Sequence, residues 1–131
     1  MLAAARVEAP LREPVGSILD SAAERSPRLV EPFLTRIPGQ LDAIQSAIEA
    51  GAEGQLRQVA HKMKGSCLAL GAPQLAESCE RLEQQPKGRP ERLLAQVRKA
   101  FEQVAVLLAK EQPETYAKAR ELRPSILPPA A

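Results

Sequence analysis

Apolar residues recur every three or four positions along most of this chain, a spacing that predicts amphipathic α-helices. A long stripe of this kind comprises Val30, Phe33, Leu34, Ile37, Leu41, Ile44 and Ile48. Ser26 and Pro27 precede it as an N-cap and a first helical residue. The stripe stays in phase across Pro38, so we expect one helix that is kinked there, with two separate helices as the alternative.

Three more long helices are predicted downstream. Gly51 and Gly54 are expected to end the preceding helix, so that the next begins near Gln55 with an inward stripe of Leu56, Val59, Ala60, Met63, Cys67 and Leu70. After a turn at Gly71, a helix from Pro73 to about residue 85 carries Leu75, Cys79 and Leu82 inward. The last begins at Pro90, stops before Pro113 and has the stripe Leu94, Val97, Phe101, Val104 and Leu108.

The predicted fold class is all-α. β-Branched and aromatic residues are scarce, with two Phe, one Tyr and no Trp, which disfavours a sheet. Because the connections are short, we expect an up-down-up-down antiparallel four-helix bundle, with a short extra N-terminal helix over about residues 14–24. The domain organisation is a flexible arm over 1–13, the bundle over 14–112 and a C-terminal extension over 113–131. That extension is predicted to hold a turn or two of helix in 114–123 and a disordered tail beyond.

The net charge and the cysteine content limit the class of binding partner and the cellular compartment that we expect. The net charge of +2, with almost no aromatic residues for base stacking, argues against nucleic-acid binding. Both cysteines occupy inward positions, which indicates buried free thiols in a reducing compartment. The N-terminal residues contain no apolar run long enough for a signal peptide, and no segment of the sequence approaches the length of a membrane span. We therefore expect a cytoplasmic monomer.

The sole histidine, His61, lies on the outer face of its predicted helix. At roughly 100° per residue it points about 140° away from the centre of the apolar stripe, with Gly65 at about 180° and Leu68 at about 120°. Lys64 flanks the same side. A glycine inside a helix costs about 1 kcal/mol relative to alanine, and Gly65 does not face the core, so its presence suggests a functional reason.

The segment His61-Lys62-Met63-Lys64-Gly65-Ser66 is followed by Leu70-Gly71-Ala72, Leu75, Cys79 and Leu82-Glu83. This pattern resembles the histidine-containing phosphotransfer (HPt) domains of two-component phosphorelays, and helical flanks extend the resemblance over about residues 15–110. It implies a protein that accepts a phosphoryl group from the aspartate of response-regulator receiver domains and donates it to them. A hybrid sensor histidine kinase is a further implied partner, and the usage of Ala, Arg and Pro suggests a bacterial source.

The resemblance also assigns roles to residues. It implies His61 as phosphoacceptor, Lys64 as neighbour of the phosphoryl group, Gly65 as the residue that leaves clearance, and Glu83 as a possible hydrogen-bond partner of the imidazole. Leu68 and Ala72 are expected to add apolar docking surface around the histidine. The implied Mg²⁺ is supplied by the receiver, so the chain itself is expected to need no cofactor.

Other functions fit the sequence less well. A non-catalytic adaptor that docks receivers or a kinase without phosphorylation is the alternative, although an adaptor needs none of His61, Lys64 and Gly65. An enzyme with autonomous kinase or phosphatase activity is not expected, because the sequence has no Gly-rich phosphate loop and no recognisable pair of catalytic carboxylates. A zinc site is not expected either, since one outward histidine and two inward thiols share no face.

Overall fold

The computed structural model describes residues 18–20, 25–84, 87–122 and 127. These residues form five α-helices and no strand: α1 (Pro27–Ala50), α2 (Glu53–Leu70), α3 (Pro73–Gln84), α4 (Pro90–Glu111) and α5 (Pro113–Leu122). The predicted all-helical fold is therefore confirmed for the described part of the chain.

The helix ends follow from local chemistry. The Ser26 hydroxyl accepts a hydrogen bond from the Arg28 backbone N–H at the start of α1, as expected of an N-cap. Gly51 (φ 67°) and Gly71 (φ 90°) end α1 and α2 in the left-handed conformation that glycine adopts most readily. Gly54, in contrast, lies in the first turn of α2, so the prediction that it helps to end the preceding helix is wrong. The left-handed reversal needs only Gly51.

α1 is continuous through Pro38, which confirms a single helix over the first stripe. The predicted stripe is buried except for Ile48, which is half-buried, and Ala47 is buried beside it. The kink at Pro38 stays a prediction.

The helices enclose one apolar core. α2 packs against α1 and α3, while α4 packs against α3 and α1. Phe33 of α1 and Phe101 of α4 meet in the core with their ring centroids 6.1 Å apart. The inward stripes predicted for α3 and α4 are fully buried, which places the polar faces of these helices outward.

α5 is longer than the turn or two that the sequence predicted. It packs against α1 and α4 and buries Tyr116 and Ala119 in the common core. Pro113 therefore both follows the end of α4 and begins a further helix, because proline is well tolerated at a first helical position. Of the predicted disordered tail only Leu127 is described, and its side chain is buried.

The predicted arm over 1–13 and most of the predicted helix over 14–24 lie outside the described residues. Residues 18–20 are described and are not helical. The Arg25 side chain, which is buried, joins this segment to two helix ends. Its Nε donates to the Leu70 carbonyl at 2.9 Å, its Nη1 contacts both oxygens of the Glu111 carboxylate at 2.8 and 3.0 Å, and its Nη2 donates to the Asp20 carbonyl.

Cys67 of α2 and Cys79 of α3 are buried free thiols. A hydrogen bond with Cys79 and burial both raise the pKa of Cys67 far above its ordinary value. The two thiols therefore belong to the contact between α2 and α3, and the Cys67 thiol stays protonated.

Candidate functional site

α2 directs His61 away from the core. Leu56, Ala60, Met63, Cys67 and Leu70 are buried on its inner face. His61 lies on the outer side of the same helix, and 65% of its side chain is exposed. An incoming group can therefore reach the imidazole without any movement of the core.

The imidazole is held by a carboxylate from the neighbouring helix. Burial of Leu75, Cys79 and Leu82 fixes the rotation of α3, and this places Glu83 beside α2. Glu83 Oε2 lies 2.9 Å from His61 Nδ1. Since an ionised carboxylate only accepts hydrogen bonds, this contact favours the neutral tautomer in which Nδ1 carries the proton and Nε2 keeps its lone pair.

Lys64 completes a three-residue cluster. Its Nζ lies 3.4 Å from Glu83 Oε1, and this oxygen has no directed hydrogen bond among the described residues, so the contact is an ion pair. Partial burial by itself raises the pKa of Glu83, but the hydrogen bond with His61 and the positive charge of Lys64 outweigh it and leave this pKa below its ordinary value of 4.5. The carboxylate is therefore ionised at neutral pH and serves both neighbours.

Gly65 leaves open space one turn beyond the histidine. A Cβ added at Gly65 would meet no atom within 4 Å. Leu68, three residues further along the helix, is 60% exposed. The structure thus places a bare backbone position and, about two turns from His61, an exposed apolar side chain on the side of α2 that carries the imidazole.

Ala72 does not join this surface. The prediction that it adds exposed docking area is wrong, because its side chain is fully buried. Its backbone N–H donates to the Cys67 carbonyl at 2.9 Å and closes the turn after α2. A residue at this position of such a turn packs back against the last turn of the helix, which accounts for its burial.

The sequence did not indicate two grooves on the surface of α2. One, of about 300 Å³, lies between α1 and α2 and includes the half-exposed Leu29 and the exposed Ala69. The other, of about 670 Å³, lies on the N-terminal side of His61 and is lined by Gly54, Arg57, Gln58, His61, Lys62 and Glu83. The four-residue spacing between Arg57 and His61 was a signal for the second groove, because residues four apart share a helix face.

Within the described part of the chain, no three His, Cys, Asp or Glu side chains are grouped so as to hold a metal ion. Among the described helices, none combines the length and apolarity needed to cross a membrane.

Comparison with protein families identifies one match. The family model of the Hpt domain matches residues 28–106, which is more than half of the 131-residue chain. The matched region includes the whole of α2 and α3, and with them the cluster of His61, Lys64 and Glu83. Comparisons with curated proteins and with solved structures gave no significant match.

Proposed function

This chain belongs to the Hpt domain family, whose members take part in phosphorelay phosphotransfer, and we propose that it is a histidine phosphotransfer protein with His61 as phosphoacceptor. It accepts a phosphoryl group from the aspartate of a response-regulator receiver domain and donates it to another. The observation that carries this proposal is the hydrogen bond between Glu83 and Nδ1 of an exposed His61, which leaves Nε2 available.

The transfer is a displacement at phosphorus. The Nε2 lone pair of His61 forms the N–P bond while the P–O bond to the receiver aspartate breaks, and that electron pair leaves on the aspartate carboxylate. The imidazole then carries a positive charge that it shares with the Nδ1–H group. The Glu83 carboxylate, 2.9 Å from Nδ1, stabilises this charge through a charge-assisted hydrogen bond. The reverse step runs through the same contacts.

Three neighbours of His61 support the exchange. Lys64 places an ammonium group close to the imidazole, where a small movement from Glu83 would bring it to the phosphoryl oxygens. Gly65 lets the receiver approach without a side chain in the way, and exposed Leu68 supplies apolar docking area. Leu29 and Ala69, beside the groove between α1 and α2, extend this area in place of Ala72.

The wider setting is part of the same proposal. α1 to α4 form an up-down-up-down antiparallel bundle, which the short connections and the packing of each helix on its chain neighbours support. The receiver supplies Mg²⁺, and the chain neither makes nor hydrolyses the phosphoryl group by itself. A hybrid sensor histidine kinase of a bacterial two-component system is the source of the phosphoryl group. The buried free thiols favour a cytoplasmic location, and the protein acts as a monomer.

Incubation with a phosphorylated receiver tests the proposal. We expect an acid-labile, base-stable label on the wild-type chain and none on His61→Gln. The melting temperature of His61→Gln should be almost unchanged, because the side chain lies outside the core. If the variant keeps the label, His61 is not the acceptor. If the wild type binds the receiver but takes no label, the chain is the non-catalytic adaptor.

A further inference from the structure

The groove on the N-terminal side of His61 is open to solvent and is lined mainly by residues with polar or charged side chains. Its volume of about 670 Å³ is ample for a phosphoryl group. Gly54 forms part of its wall, and a Cβ added there would meet no atom within 4 Å. His61 is thus flanked by unobstructed backbone on both sides, at Gly54 and at Gly65.

The cations around this groove differ in their partners. Lys64 already contacts Glu83 at 3.4 Å, and its side chain is 24% exposed. Arg57 is exposed and, within the described part of the chain, forms no ion pair with a carboxylate. Lys62 is also exposed and lines the groove, but it lies roughly 100° from His61 around the helix, whereas Arg57 lies about 40° away.

Helix geometry directs the imidazole toward Arg57. Side chains on an α-helix lean toward its N-terminus, so a residue covers the turn that precedes its own Cα. For His61 this is the turn that contains Arg57 and Gln58. Because Glu83 holds Nδ1, a group attached to Nε2 is left on the open side of the ring.

We propose that Arg57 is a second phosphoryl-binding residue, which contacts the phosphoryl group on His61 Nε2 from the groove on its N-terminal side. The inference rests on the proposed function for the identity of the phosphorylated atom. A guanidinium group suits this position because its planar set of donors can bind two phosphoryl oxygens at once. To bind the phosphoryl group, Lys64 must move away from Glu83. Arg57 breaks no ion pair with a described residue when it does so.

Chemical phosphorylation tests this role without a partner protein. The full chain is treated with phosphoramidate, a small N–P phosphoryl donor, and the product is followed by phosphorus NMR during a pH titration. A nearby cation favours the dianionic form of the phosphoryl group and lowers its titration midpoint. We expect Arg57→Gln to raise this midpoint by about 0.5 of a pH unit, the size of a partly exposed charge pair. Arg57→Lys should recover part of the difference.

Lys62→Gln is the matched control, since it removes one positive charge from the same groove. Its expected shift is less than half of that in Arg57→Gln. Equal shifts in the two variants would show an unspecific charge effect, and an unchanged midpoint in Arg57→Gln would show no contact. Either result overturns the inference, as would a phosphoryl group on Nδ1 or the absence of chemical labelling of His61.

The proposed function is judged separately. If receivers fail to label the chain while the Arg57-dependent shift is present in the chemically labelled protein, the proposed relay fails and the assignment of Arg57 stands.

Discussion

Replacement of Gly65 by a residue with a side chain should maintain or raise the stability of the fold and lower the rate of phosphotransfer. Gly65 is inside α2 and exposed, and an added Cβ would meet no atom within 4 Å. Gly65→Ala therefore introduces no strain and gains the difference in helix propensity, about 1 kcal/mol. For a domain of this size that gain raises the melting temperature by about 4 °C. Gly65→Gln should be neutral to slightly stabilising for the same reason.

Phosphotransfer should fall as the side chain at residue 65 grows. If the bare backbone admits the receiver, we expect a modest loss for Gly65→Ala and a loss of about tenfold or more for Gly65→Gln, equivalent to about 1.4 kcal/mol. The assay is the rate of label transfer from a phosphorylated receiver, measured beside thermal unfolding of the same preparations.

Gln103→Ala in α4 is the control for this experiment. It also leaves a methyl group at an exposed helix position, but on a helix that packs on α1 and α3 and does not carry His61. Its transfer rate should stay within about twofold of the wild type. A wild-type rate in Gly65→Gln would refute the clearance role, and a loss of stability in Gly65→Ala would refute the open environment.

Two further predictions concern the neighbours of His61. Lys64→Ala should shift the phosphotransfer equilibrium away from His61 by about threefold to tenfold, which corresponds to about 1 kcal/mol. It should weaken receiver binding far less, because Leu68 supplies docking contacts. Lys64→Arg should recover part of the effect, and a collapse of receiver affinity with an unchanged equilibrium constant would make Lys64 a docking residue. Glu83→Gln should be less stable than the wild type above pH 4.5, the ordinary pKa of the carboxyl group, because the folded pKa is lower. The difference in the free energy of unfolding should disappear as the pH falls through the pKa of Glu83 in the folded protein. Urea unfolding at a series of pH values measures it. A difference that does not change with pH would contradict the ion-pair geometry.

Local chemistry made most of the helix ends predictable. Residues that favour the backbone conformation of a helix end lie at such ends in the structure, namely Ser26, Pro27, Gly71, Pro73 and Pro90. The outward position of His61 followed from the spacing of the apolar stripe, since burial of one face of a helix fixes the other.

The predictions that failed concern residues whose burial or helix position depends on how separate segments of the chain pack together. Ala72 lies beyond the last periodic residue of α2, so its burial depends on how the chain returns into α3. Gly54 carried no signal that distinguished a helix end from a first turn. The packing of Tyr116 against the bundle depends on α5 meeting α1 and α4, which helical spacing within 114–123 could not reveal.

The buried thiols make the native chain convenient for site-specific labelling. Alkylating reagents attack the thiolate, and Cys67 and Cys79 are both buried, with the pKa of Cys67 raised. A cysteine introduced at the exposed Gln103 of α4 would react much faster than either native thiol. α4 packs on α1 and α3, away from the helix that carries His61. A fluorophore at residue 103 can therefore report the tumbling of the free and receiver-bound protein without removal of a native cysteine.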